Sequence, residues 1–325
     1  MSTWMVTGGA GYIGSHVVHA FREQGMDVVV VDDLSSGHAE FVPAGLPFVR
    51  ASILDTSAVE AALREHRVDG VVHLAGFKYA GVSVQRPLHT YEQNVTGTVS
   101  LLRAMRQADV GAIVFSSSAA VYGTPETDLV TETTPTRPES PYGESKLIGE
   151  WLLRDQGRAT AASRGPLRHT SLCYFNVVGS GRDDLYDSSP HNLFPLVFDA
   201  LLEGRTPRIN GADYPTPDGT CVRDYIHVND LAAAHLLALG RLTETSRTET
   251  MNCGYGHGYS VREVVDCARK VTGVAFPVEE TGRRAGDPPV LVADSRRIRD
   301  LTGWQPRHDD LEFIIRTAWA WERKQ

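Results

Sequence analysis

Tyr142 and Lys146 are the pair whose types and spacing invite chemistry: four residues apart at the start of a helical pattern, they stack a phenol and an ammonium one turn above the other. The run Ser140-Pro141-Tyr142-Gly143-Glu144-Ser145-Lys146 sets that helix. Ser140 is of the type that caps a first turn, and Pro141 has a preset φ for the first helical position. Leu147, Ile148, Trp151 and Leu152 form an apolar stripe that can pack one face and leave the other for a ligand. The chemistry suggested is general-base catalysis by a tyrosinate. A free phenol titrates near pH 10, so a base working at neutrality needs on the order of 4 kcal/mol of preferential stabilisation of its anion, part of which a nearby ammonium supplies. Such pairs also stand on many helices with no catalytic role, and the company they keep in the chain decides between the two.

The chain has 325 residues, 42% hydrophobic and 22% charged, which suits one large globular domain or two smaller ones. A formal charge of −8 leaves no global field to draw in nucleic acid or an anionic membrane. Any anionic ligand must therefore be held by local arginines or helix N-termini. Cys173, Cys221, Cys253 and Cys267 lie far apart with no C-x-x-C pair, as expected for reduced cysteines of a cytoplasmic protein. The twelve histidines show neither H-x-x-x-H nor H-E-x-x-H spacing, and no metal is expected. The first residues carry no basic, apolar leader, and no run reaches about 18 apolar residues, so neither export nor membrane spanning is expected. Asn94-Val95-Thr96 matches a glycosylation sequon and is read as coincidence.

The first half alternates short β runs with helical patterns. Trp4-Met5-Val6, the apolar run Asp27 to Asp32, Pro47 to Val49, Gly70 to Leu74, Ala112 to Phe115 and Ser171 to Phe175 read as strands. Tyr12 to Gln24, Ser57 to His66 and Pro87 to Met105 read as helices between them. This is the pattern of an α/β protein with a doubly wound parallel sheet of Rossmann type. The second half is less regular, with loops at Gly179 to Pro190, Gly211 to Thr220 and Gly282 to Pro289, and helices at Asn192 to Leu202 and Asp309 to Arg323. Ser260-Val261-Arg262-Glu263 is a capping box opening a helix that Gly273 can end. Residues 1–176 are expected to form the dinucleotide-binding domain, with segments around 224–253 returning to it. Residues 177–325 then form mainly a smaller α/β substrate-binding domain.

The clearest binding signal is Thr7-Gly8-Gly9-Ala10-Gly11-Tyr12-Ile13-Gly14, directly after the first strand and opening the first helix. Glycines 8, 11 and 14 permit a tight turn, close approach of a pyrophosphate and close helix packing. Asp32 ends the next strand, where a carboxylate accepts from a ribose diol and repels a 2′-phosphate, favouring NAD over NADP. Three further strand ends are placed to meet a ligand: Leu74 to Lys78, Ser116 to Gly123, and Tyr174-Phe175-Asn176. Ser118 is positioned to relay or orient a proton beside Tyr142.

Taken together, the glycine turn, Asp32, Ser118 and Tyr142-x-x-x-Lys146 resemble the extended short-chain dehydrogenase/reductases. More narrowly, the chain resembles the UDP-glucose 4-epimerases over nearly its whole length. Phe77-Lys78 with Gly81 to Gln85, Asp213 to Thr216 with Asp218 to Thr220, Val222 to Val228, and Arg283-Arg284 with Gly286-Asp287 carry that closer likeness. The resemblance implies NAD held throughout the cycle, Tyr142 taking the proton of the sugar 4-OH with Lys146 and Ser118 beside it, and a 4-keto sugar that turns over within the site. It implies cofactor contacts at Gly8, Gly11, Tyr12, Ile13, Gly14, Asp32, Asp33, Ser36, Ser52, Ile53, Leu74, Ala75, Gly76, Lys78, Asn94, Ser116, Tyr142, Lys146 and Tyr174. It implies UDP-sugar contacts at Lys78, Ser118, Tyr142, Phe175, Asn176, Asn192, Leu193, Arg223, Tyr225, Arg284, Asp287 and Leu291. A homodimer through the helices Pro87 to Met105 and Pro141 to Arg154 is also implied.

Three positions depart from that pattern: Ser52 where an Asp is common, Val177 where a Pro follows the Asn, and Leu291 where glucose-type members carry Tyr. The smaller Leu291 leads to an expectation of activity on the N-acetylhexosamine pair. A 4,6-dehydratase wants an acid beside the strand-end Ser, where Ala119 and Ala120 stand here. A UDP-glucuronate epimerase or decarboxylase needs additional groups for the sugar carboxylate, and a non-catalytic NAD-binding scaffold has no use for both Tyr142 and Lys146.

Overall fold

The computed structural model describes residues 2–160, 166–245, 247–284 and 287–322. Its centre is a seven-stranded, wholly parallel sheet in the order Glu249–Cys253, Arg168–Tyr174, Ala112–Ser118, Gly70–His73, Thr3–Thr7, Asp27–Asp32, Phe48–Arg50. Helices cover both faces, so alternate residues of a central strand enter opposite layers. Trp4, Val6, Val28 and Val30 pack with Val17, Val18 and Phe21 of the helix Tyr12–Glu23. Met5, Val29 and Val31 pack with Val59 and Leu63 of Thr56–Glu65, and with Leu101 and Met105 of Gly97–Gln107. This two-sided burial is why Asp27–Asp32 reads as an unbroken apolar run.

After the strand Arg168–Tyr174 the chain, joined by Leu129–Val130, builds a smaller lobe and also returns to the large sheet. Val228–Thr245 packs on the first helix, and Glu249–Cys253 adds the edge strand beside Arg168–Tyr174. The smaller lobe holds a four-stranded sheet ordered Tyr259–Ser260, Val222–Arg223, Val290–Ala293, Leu129–Val130, with two-stranded pairings of Tyr225–His227 with Asn176–Val178 and of Glu279–Thr281 with Arg208–Asn210. The capping box forms as its sequence specifies: Ser260 Oγ accepts from Glu263 N–H, Glu263 accepts from Ser260 N–H, and Gly273 ends the helix at φ 70°. All four cysteines are free.

One expected helix is interrupted. Pro87 to Met105 is not continuous: Pro87–Tyr91 passes through a wider π turn at Glu92–Thr96 before Gly97–Gln107 resumes the α pitch. A π turn inserts a residue into the helical ladder and re-aims the side chains within it. Here it turns Asn94 inward, where Oδ1 accepts from the Phe77 N–H at 2.7 Å and Nδ2 donates to the Phe77 carbonyl at 3.0 Å and to Ser145 Oγ at 2.8 Å.

Candidate active site

The strand ends of the large sheet and the smaller lobe enclose a cleft of about 1640 Å³. Its dinucleotide wall starts from the glycine turn. Gly8 has φ +72°, and a Cβ added there would lie 2.6 Å from the Ala75 nitrogen; one added at Gly14 would lie 2.0 Å from the Gly8 carbonyl oxygen. Both positions therefore demand glycine. Gly11 differs: an added Cβ would meet only the Gly8 oxygen, at 3.3 Å, and no side chain caps the helix that Gly11 opens. The first-turn N–H groups thus face a shallow cradle suited to a diphosphate. Asp32, buried at the next strand end, accepts from Ala10 N–H at 3.0 Å and Leu34 N–H at 2.8 Å. Burial raises its pKa and those two N–H groups pull it back. The donor set, glycine cradle and acidic strand end fit NAD.

Beside this wall the strand Ala112–Ser118 delivers three consecutive serines to one helix, Pro141–Thr160. Ser140 Oγ accepts the Gly143 N–H at 3.2 Å, and Ser83 Oγ accepts the Tyr142 N–H at 3.1 Å, so the helix start is held from two directions. Lys146 Nζ donates to the Ser116 carbonyl at 2.9 Å and lies 5.8 Å from the Tyr142 ring centre. Glu150, one turn further on, accepts from Ser117 Oγ and, at 3.3 Å, from Cys173 Sγ. Residues 142, 146 and 150 thereby fasten one helix face to the strand end. Burial raises the Tyr142 pKa, and its hydrogen bond with Ser118 partly offsets this. Burial also lowers the Lys146 pKa, from 10.5 to about 8. In the protein alone burial thus dominates the phenol, outweighing the Ser118 bond, and the expected depression by Lys146 is not seen.

At the other end of the cleft Arg223 is buried on its strand, with Nη2 3.6 Å from Asp287 Oδ1, and Arg284 Nε lies 4.0 Å from Asp287 Oδ2. Two guanidinium groups converging on one carboxylate form a site that can grip a diphosphate by forked donors. Asn192 Nδ2 donates to Asp187 at 2.6 Å, and Lys78 Nζ stands 3.9 Å from the same carboxylate.

Nearly all the residues read from sequence line this one cleft: Gly8, Gly11, Tyr12, Ile13, Gly14, Asp32, Asp33, Ser36, Ile53, Leu74, Ala75, Gly76, Lys78, Ser116, Tyr142, Lys146 and Tyr174 on the dinucleotide side, and Phe175, Asn176, Asn192, Leu193, Arg223, Tyr225, Arg284 and Asp287 toward the smaller lobe. Four do not. Ser52 turns its hydroxyl back to the Leu54 N–H at 3.2 Å, and Asn94 is spent on holding Phe77 and Ser145. Ser118 is hydrogen-bonded to the phenol, its oxygen also accepting the Ala120 N–H at 3.2 Å. Leu291 is buried in a cluster with Leu147, Phe175 and Ala293, since the period-2 alternation of its short strand turns it to the core.

Sequence reasoning missed Tyr186 and Asp187, which line the cleft from within a segment read only as a surface loop, and His191, which follows it. A buried-type aromatic and an acid among Gly, Ser and Pro were the available signal. Asp187 is held above the usual carboxylate range by burial, against the pull of Lys78, Asn192 and the Ser189 N–H.

The sequence profile of the NAD dependent epimerase/dehydratase family matches residues 4–254. The UDP-glucose 4-epimerase of Azospirillum brasilense is 48% identical over 98% of this chain and 91% of its own length. The crystal structure of UDP-glucose-4-epimerase from Stenotrophomonas maltophila, with bound NAD and formylated UDP-arabinopyranose, superposes with a TM-score of 0.93 at 40% identity, covering 100% of this chain and 98% of that one. The UDP-Glc/GlcNAc 4-epimerase of Campylobacter jejuni gives 0.86 at 40% identity, with both chains covered in full. With the glycine cradle, the Tyr142–Lys146 helix and these full-length similarities in agreement, the chain belongs to the NAD dependent epimerase/dehydratase family, among its UDP-glucose 4-epimerases.

Proposed function

We propose that this chain is an isomerase that inverts C4 of a UDP-hexose with NAD as its resident cofactor, interconverting UDP-glucose and UDP-galactose through a 4-keto sugar. The observation that carries this reading is the position of Tyr142 and Lys146 in one cleft, between a dinucleotide cradle and a pair of arginines. When bound, NAD supplies the hydride acceptor and donor and the positive charge of its nicotinamide ring.

The protein's own residues do the rest. Tyr142, with Ser118 on its oxygen, takes the 4-OH proton and later returns one. Lys146, tied to Ser116, keeps a cation and the helix register beside the phenol. Arg223 and Arg284 hold the UDP diphosphate firmly while few polar groups bind the sugar, leaving it free to present either face. We assign cofactor contacts and sugar contacts to the lining residues named above, with Asn94 and Ser118 acting through Phe77 and Tyr142. We assign residues 1–176, less the strand Leu129–Val130, with 228–253 to the cofactor half, and the remainder to the nucleotide sugar.

A second substrate pair, the N-acetylhexosamines, is favoured by the likeness to the Campylobacter jejuni enzyme named for both sugars. It draws no support from Leu291, which lies off the cleft wall. A dehydratase is disfavoured by Ala119 and Ala120, which leave no acid after Ser118. Incubating the purified protein with UDP-galactose and, separately, UDP-N-acetylgalactosamine, and following the sugars by NMR, tests both readings. Formation of UDP-glucose supports the first; an unchanged N-acetyl sugar eliminates the second.

No described helix is long and apolar enough to cross a membrane. We place the protein in the cytoplasm on the strength of its four free cysteines, and we propose a homodimer. Val84, Leu88 and Trp151 are exposed on helices that pack together, Leu88 at 83% and Trp151 at 46%.

A further inference from the structure

Residues 179–191 leave the smaller lobe, cross to the dinucleotide-binding half and return to it at the helix Leu193–Leu202. The root of this segment is fixed on the first helix: the Tyr12 hydroxyl donates to the Gly179 carbonyl, and the Gly181 N–H donates to His16 Nε2 at 3.1 Å. Ser180 Oγ folds the segment on itself by donating to the Leu185 carbonyl at 2.7 Å. Further along it makes two separate landings on the cofactor half.

The first landing is the loop after Asp32. Tyr186 packs against His38 at 5.3 Å and edge-on to Phe41 at 4.8 Å between ring centres, and His38 Nε2 lies 3.0 Å from Ser188 Oγ. That loop is itself seated on the glycine turn, since the His38 N–H donates to the Ala10 carbonyl at 2.9 Å. The second landing is the loop after His73, where His191 meets Tyr79 edge-on at 4.7 Å and Asp187 faces Lys78. Between the landings, Tyr186, Asp187, Pro190 and His191 line the same cleft as Gly8 to Gly14.

We propose that Tyr186 to His191 is a strap closed over the dinucleotide trough, and that it determines how long the cofactor stays bound. The inference rests on the NAD reading given above. A dinucleotide leaving the cradle has to pass beneath a segment pinned on both sides, so release requires the aromatic landings to part first. The arrangement divides labour: the cradle and Asp32 set which dinucleotide binds, and the strap sets the rate at which it exchanges.

The test compares wild type, Tyr186→Ala and His38→Ala, which weaken the same landing from its two sides. Each protein is charged with labelled NAD, freed of excess, and chased with unlabelled NAD; retained label is followed over time, and circular dichroism reports the fold. Loss of two aromatic contacts in Tyr186→Ala, and of one ring contact with the Ser188 bond in His38→Ala, predicts label release about tenfold faster in both variants. A folded His38→Ala protein that releases label at the wild-type rate overturns the strap. A wild type that holds no NAD as purified and takes up none when supplied with it overturns the cofactor reading instead, so the two failures are distinguishable.

Discussion

The ammonium of Lys146 donates to the backbone carbonyl of Ser116 at 2.9 Å, tying the helix Pro141–Thr160 to the end of the strand Ala112–Ser118. Burial opposes that ammonium, lowering its pKa from 10.5 to about 8. The folded pKa thus lies below the unfolded one, so the unfolded chain binds more protons between those values and stability rises with pH across that window. Below about pH 8 the charged lysine costs on the order of 3 kcal/mol. Lys146→Met in the cofactor-free protein is therefore expected to raise the unfolding midpoint at pH 7, less the lost Ser116 bond, with the advantage fading toward pH 10. Denaturant unfolding at the two pH values checks this; an advantage that grows with pH contradicts it.

Asn94 joins the π turn to the loop carrying Phe77 and Lys78. Asn94→Ala leaves both backbone groups of Phe77 in search of partners, at a cost of about 2–3 kcal/mol in global stability. Urea denaturation reads that loss. NAD retention should fall with it, because Lys78 follows the same loop.

Much of the fold was legible because burial imposes a period. Alternating Met5 and Val6 or Val29 and Val30 serve opposite layers, and Ser260 with Glu263 announces a helix start by its own hydrogen bonds. The glycine turn was legible for a steric reason: at Gly8 and Gly14 a side chain does not fit. The π turn at Glu92–Thr96 was not, since one additional residue in a helical ladder leaves no mark in the pattern of apolar positions. Asn94 accordingly was read, by likeness, as a cofactor contact rather than as a bracket. Leu291 was misplaced because its role came from likeness, whereas the strand Val290–Ala293 turns it toward Phe175. The landings of Tyr186 and His191 are contacts across more than a hundred residues, and loop sequence encodes no period from which to read them.

In the proposed assignment Arg223 grips the diphosphate and not the reacting sugar carbon, so its binding is the same in ground and transition states. Arg223→Ala is expected to raise KM for the UDP-sugar about 10- to 100-fold while kcat changes by less than about threefold. Steady-state kinetics with saturating NAD separates the two; a fall in kcat with KM unchanged contradicts the assignment.

Trp151 and Leu88 present apolar surface on packed helices of the cofactor half. Trp151→Glu places a charge at the proposed subunit contact and is expected to yield a monomer by sedimentation, with the far-ultraviolet spectrum unchanged. A wild type that sediments as a monomer contradicts the dimer directly.

The central claim is that one carbon is oxidised and then reduced again within one site built around Tyr142. Purified protein carrying its own NAD, with none added, is given UDP-galactose deuterated at C4, beside the Tyr142→Phe variant. The account predicts UDP-glucose that keeps deuterium at C4, and in the variant a turnover lower by about 10²-fold or more. Deuterium lost to solvent, or undiminished turnover without the phenol, would contradict it.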